Sequence, residues 1–259
     1  MAIVFLHIPK TAGSTFHSIL SKQYSIKKTI TIKPNLVGKI NQPLVSTFSY
    51  LNYCNEFISR NFNELIANYE LIKGHFTWPK YDVNGVKYIT FLREPIERVI
   101  SNYKHIRKVY ESSRNEEYLS LVEFIDGNVD LSVDNLQVRM LVNKLNQQEI
   151  IQVDDLYRAY EVLRKYFKVG LTEYFDKSVY SMKADFNWKR VFYTTKNVSS
   201  GNLSVTDDVL SVIKEKNQFD VKLYELVKKD WKDNRSSFGF NVFKLLNSLR
   251  LNVNDKVDW

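Results

Sequence analysis

Residues 5–16 read FLHIPKTAGSTF, and they end a longer apolar run, AIVFLHI, at residues 2–8. The run is short and β-branched with no charge, the pattern of a strand buried on both faces. It stops at Pro9. Lys10 follows, then small and hydroxyl residues. STFHSILSKQY comes next, and its spacing predicts a helix with Ser14 or Thr15 near its start. A buried strand that feeds a helix through a tight loop is half of a β–α–β unit. It points to a parallel sheet covered by helices.

The rest of the chain extends that pattern. ITIK reads as an edge strand, and PNLVGKINQP reads as loop. YLNYCNEFISRNFNELIANY has helical spacing, while ELIKGHF and VKYITFL look like strands. Pro95 stands where helices commonly begin, ahead of IERVISNYKHIRKVY. Residues 114–150 read as short helices, including SVDNLQVRMLVN. An amphipathic helix, VDDLYRAYEVLRKYF, precedes strand KVGL. Helices EYFDKSVYSMKADF, TDDVLSVIKEKN, FDVKLYELVKKDW and FNVFKLLNSL complete the chain. No repeat, low-complexity tract or linker interrupts it. The expected fold is α/β, one domain over residues 1–259, with a central, mainly parallel sheet flanked by helices.

Composition narrows the function classes. The 259 residues carry a net charge of +8, which favours anionic partners, although a solvated lysine-rich surface accounts for such an excess equally well. A single cysteine, Cys54, excludes an intrachain disulfide and argues against a cysteine-based zinc site. There is no apolar run of about 18 residues, so no membrane span is expected. The start MAIVFLHIPK lacks a basic region ahead of a long apolar one, so a cytoplasmic protein is expected. No nucleic-acid-binding motif occurs, and the aromatic residues mostly fall at core spacing, so nucleic acid is not an expected partner.

The loop after the first strand is built for an anion. Backbone N–H groups at a helix start point outward, and the helix dipole adds positive potential there. Gly13 lets a ligand approach closely. Lys10 brings a charge, and Thr11, Ser14 and Thr15 bring hydroxyl donors. A plain strand–turn–helix connection with a surface lysine is the competing reading. A nucleoside-triphosphate loop needs a first glycine and a Gly-Lys pair, and both are missing, which disfavours a kinase or NTPase.

FLHIPKTAGSTF resembles the 5′-phosphosulfate loop of sulfotransferases that use 3′-phosphoadenosine 5′-phosphosulfate (PAPS), in particular the carbohydrate branch that includes the uronosyl 2-O-sulfotransferases. A second motif of that family is an arginine at the end of a later strand and a serine eight residues on, both for the 3′-phosphate. TFLREPIERVISNYKH supplies Arg93 and Ser101 at that spacing. Physically, Arg93 can fork two donors onto a phosphate, and Ser101 lies two helical turns inside on nearly the same face. Arg98 is assigned instead to a surface pair with Glu94. The resemblance implies a P-loop-like fold, PAPS as cofactor with PAP as product, and no metal. It implies a cofactor site made of Lys10, Thr11, Ala12, Gly13, Ser14, Thr15, Arg93 and Ser101. TTKNVSSGN resembles the family's loop that returns to the nucleotide, which adds Lys196 and Ser200, with Ser199 and Gly201 beside them.

Sulfuryl transfer to an alcohol needs a base and a cation at the leaving phosphate. Lys10 suits the second role. Histidine is the natural base at neutral pH. His7 reads as a core residue, His17 lies just inside the first helix, and His105 lies late in a surface helix. His75 ends the strand-like ELIKGH between the two cofactor motifs, where the resembling families carry a catalytic histidine or glutamate, and it is the expected base. Lys73 and Trp78 are candidates to flank the acceptor, with a core role open for Trp78. Arg139 is the candidate for gripping an acidic sugar, since the family builds its acceptor site between these motifs. The expected acceptor is a carbohydrate hydroxyl, acidic sugars included. Sulfation of a tyrosine, lipid or small metabolite, and nucleotide binding without catalysis, are the alternatives.

Overall fold

The computed structural model describes residues 1–33, 47–78, 83–127, 130–146, 148–189, 191–194, 203, 205–232 and a few short pieces beyond 239. Among these described residues five strands form an all-parallel sheet in the order β2-β3-β1-β4-β5. They are β1 (Ala2–Leu6), β2 (Thr29–Ile32), β3 (Leu71–Gly74), β4 (Val86–Leu92) and β5 (Phe167–Leu171). The apolar run at the N-terminus is the central strand, and every residue of β1 is buried. ITIK takes an edge, as its mixed burial suggests.

Alternation along β1 sorts the core into two layers. Ile3 and Phe5 face α1 (Gly13–Gln23) and α7 (Phe175–Asp185), packing on Phe16, Ile19, Leu20, Val179 and Met182. Val4 and Leu6 face α2 (Thr47–Asn68), α5 (Leu136–Val142), α6 (Val153–Tyr166) and α9 (Gln218–Lys232). A third apolar cluster joins α3 (Pro95–Arg114), α4 (Leu121–Asp126) and α8 (Asp207–Lys216) through Val99, Tyr103, Phe124 and Ile213. Of the expected helix FNVFKLLNSL half the residues are described, and those are helical, while the loop PNLVGKINQP lies outside the described residues.

The chain lays β2 and β3 on one side of β1, then crosses to β4 and β5 on the other. The strand order therefore reverses beside β1, where the carboxyl ends of parallel strands leave a crevice for ligands. The segments leaving β3, β1 and β4 are neighbours there, and they carry His75, Lys10 and Arg93.

Candidate active site

Loop 8–12 is held in a shape that ordinary residues avoid. Lys10 and Ala12 have φ of 70° and 60°, in the left-handed region. Such conformations cost about 1–3 kcal/mol each for non-glycine residues and collect at ligand clamps. Ala12 is the N-cap of α1 and provides no side-chain cap. Thr11 is fully buried, and its hydroxyl donates to the Ile8 carbonyl at 2.8 Å. The Thr11 side chain thus closes the loop from inside, where sequence reasoning had it facing an anion. Ser14 is exposed and Thr15 is buried.

Gly13 has a reason beyond ligand approach. A Cβ added there would fall inside the imidazole of His7. Because side chains alternate along a strand, His7 shares the face of Phe5 and stacks on it at 5.4 Å. His7 therefore lies against the first turn of α1.

Arg93 emerges from β4 and reaches the same loop. Its Nη1 donates to the Lys10 carbonyl at 3.2 Å, and its Nη2 lies 3.6 Å from the exposed Glu97 carboxylate. Burial and the neighbouring Arg93 guanidinium pull the Lys10 ammonium down from 10.5 to about 8. Among the described residues no carboxylate forms an ion pair with Lys10. Two adjoining cations at a strained loop and a helix start without a side-chain cap fit an anion. Ser101 lies two turns into α3 and is half-buried.

His75 follows β3 and is half-buried. Its Nδ1 lies 2.6 Å from the His7 carbonyl, which can only accept. Nδ1 therefore carries the hydrogen, and Nε2 presents a lone pair. Burial lowers the His75 pKa to about 4, with the Lys10 charge adding to the shift and the His7 bond opposing it. The ring is neutral at pH 7. His7 packs on His75 at 4.1 Å, and His17 Nε2 lies 3.3 Å from His7 Nδ1. Burial first, then Lys73, takes His17 to about 3. The three-histidine cluster went unread in the sequence. The parity of β1 was the available signal for His7, while the His17 contact is tertiary.

Both arginine expectations on the helices are corrected. Arg139 is 1% exposed. Its guanidinium pairs with Asp134 and donates to the carbonyls of Asp134, Lys144, Asn146 and Glu149. It pins the end of α5 and the turn after it, and it does not face an acceptor. Arg98 is fully buried and donates to the Ser132 carbonyl, while Glu94 caps α3 by accepting from the Glu97 N–H. The surface Arg98–Glu94 pair does not form. Trp78 packs on Tyr88, Tyr166 and Phe167 in the core. Lys73 is buried and turned toward α1, where Ser21 Oγ lies at 3.4 Å. His105 is exposed. Lys196, Ser199, Ser200 and Gly201 lie outside the described residues. Among the described residues, no helix is long and apolar enough to cross a membrane.

Residues 1–227 match the profile of the sulfotransferase family. The chain belongs to that family. Among curated relatives, heparan-sulfate 6-O-sulfotransferase 3-B of Danio rerio is 27% identical over 87% of this chain and 62% of its own length. Heparan-sulfate 6-O-sulfotransferase 3 of Mus musculus is 27% identical over 87% and 56%, and the type 1 enzyme of Gallus gallus is 28% identical over 87% and 65%. The chain therefore spans roughly three-fifths of the length of those relatives. They are 6-O enzymes, so the narrower uronosyl 2-O resemblance is not supported. A solved sulfotransferase from Alicyclobacillus acidocaldarius aligns over 93% of this chain and 99% of its own, at 15% identity and a TM-score of 0.48.

Proposed function

We propose that this protein transfers a sulfuryl group from PAPS to a carbohydrate hydroxyl, with His75 as base and Lys10 as the cation at the leaving phosphate. The reading rests on one observation. A neutral histidine with its Nε2 lone pair available stands beside a cationic loop at the carboxyl ends of adjacent strands. Membership of the sulfotransferase family supports PAPS as donor. The naming of several relatives as heparan-sulfate 6-O-sulfotransferases supports a carbohydrate acceptor and makes a primary hydroxyl of an acidic glycan the first to try.

When bound, PAPS would supply an activated sulfuryl group, with PAP as the leaving group through its 5′-phosphate. The loop from Lys10 to Thr15 would hold its 5′ end, and Arg93 with Ser101 its 3′-phosphate. Each residue then has a defined task. The His7 carbonyl fixes the His75 tautomer, so that Nε2 can take the acceptor proton. Lys10 holds positive charge where negative charge grows, and its partial burial strengthens that interaction relative to water. Arg93 presents planar donors suited to a phosphate and is tied to the loop through the Lys10 carbonyl. The test is transfer of label from radiolabelled PAPS to heparan-type, other uronate-containing and neutral glycans, with His75→Ala alongside. Label transfer that depends on His75 supports the reading. Absence of transfer to every glycan, with transfer to a phenol or lipid alcohol, would replace the acceptor class.

A further inference from the structure

We propose that Gln137 is a positioning residue that sets the backbone of Arg93 and thereby the preference for nucleotides bearing a 3′-phosphate. The proposal rests on the reading of Arg93 as the 3′-phosphate ligand.

Arg93 stands one residue beyond β4, where pairing with β5 ends at Leu92 and Leu171. The strand ladder gives its backbone no further partner. Gln137 takes over. Its Oε1 accepts from the Arg93 N–H at 3.0 Å, and its Nε2 donates to the Arg93 carbonyl at 3.0 Å. The carboxamide acts as one more rung of sheet, built from a side chain. A carboxamide holds a donor and an acceptor side by side on one planar group, and glutamine is the longer of the two residues that carry one.

The clamp is itself held. Gln137 is 0% exposed, and Asp220 accepts from the N–H groups of Gln137 and Val138 at 3.0 and 2.8 Å. The Asp220 carboxylate is also fully buried and caps α5 from α9. At the other end of α5 the Met140 carbonyl accepts from the Trp78 N–H at 2.9 Å, and Asn143 Oδ1 accepts from Thr77 Oγ1 at 2.7 Å. One buried helix thus braces both Arg93 and the segment after His75. The Arg93 guanidinium reaches the Lys10 carbonyl, so a shift of its backbone moves the donors away from the loop.

The experiment is calorimetric titration of PAP and AMP into the parent chain, Gln137→Met, Arg93→Ala and the double variant, with a thermal melt of each. Gln137→Met keeps the length and removes both hydrogen bonds. It is expected to weaken PAP roughly tenfold, the worth of one or two well-made hydrogen bonds, while AMP changes less than about twofold. In the Arg93→Ala background the same change should leave the PAP-to-AMP ratio unaltered, since the two act as one unit. Gln137→Glu keeps length and acceptor but lacks the donor, and it carries the same reading if the methionine variant does not fold. An unchanged ratio in the folded variant, beside a ratio abolished by Arg93→Ala, overturns the proposal and leaves the Arg93 reading standing. Equal weakening of both nucleotides, or loss of a cooperative melt in both Gln137 variants, makes the residue structural and overturns it. A parent chain that binds PAP and AMP alike overturns both.

Discussion

The lowered pKa of Lys10 makes nucleotide binding pH-dependent with a definite sign. Without ligand the ammonium titrates at about 8, shifted down from 10.5 by burial and by Arg93. A bound phosphate supplies the missing counter-charge and returns the value toward 10.5. Binding above pH 8 therefore takes up a proton, and affinity falls as pH rises. With the bound value near 10.5, PAP should bind about tenfold more weakly at pH 9 than at pH 7, and should take up about half a proton at pH 8. Titration calorimetry in buffers of different ionisation enthalpy reads both quantities. Lys10→Arg keeps its charge over this range and should lose the dependence. The ligand-free protein responds in the opposite direction. A lysine whose folded pKa lies below its unfolded one disfavours the fold while protonated, so stability should rise between pH 8 and 10.5. A PAP affinity that is flat from pH 7 to 9, or proton release on binding, would refute the reasoning.

Three further outcomes are expected. His75→Ala should lower kcat by about a hundredfold with PAP affinity unchanged, and kcat/KM of the parent enzyme should rise through an acid limb near 4, since the neutral ring is the active form; near-normal turnover of the variant would place the base elsewhere. Gly13→Ala should cost about 1–3 kcal/mol in a melt because its Cβ meets the His7 ring, and His7→Ala should restore much of that loss; a melt unaltered by Gly13→Ala counts against the packing argument. Arg139→Met should cost about 3–5 kcal/mol by stripping Asp134 and several carbonyls of their donor, with the acceptor KM of the folded fraction unchanged. A changed acceptor KM with an intact melt would return Arg139 to the acceptor site.

Local chemistry was legible where a residue's task depends on its chain neighbours. The strand of residues 2–6, the loop through Lys10 and the helix from Gly13 follow one another as apolar period, proline, glycine and hydroxyls imply. Pro95 opens α3, and Arg93 precedes it at the strand end. Polar side chains on helices were not legible. Arg98 read as half of a surface pair and Arg139 as a contact for an acidic sugar, because arginines on helices are usually reached by solvent. Both are buried: the Ser132 carbonyl accepts one donor of Arg98, and the carbonyls of Lys144, Asn146 and Glu149 accept from Arg139. Gln137 gave no signal either, since its partner lies 44 residues away.

The amino-acid order settled which segments become strands and helices, because periodicity and loop chemistry act between residues close in the chain. It also settled that His75, Lys10 and Arg93 each follow a strand. It left open which strands are neighbours. The order β3-β1-β4 makes the three meet, and it exists only in the assembled sheet, with both faces of β1 buried between two layers of helices. The neutral His75 and the lowered Lys10 pKa are likewise products of assembly, because desolvation and the charge of a distant arginine exist only once the layers close.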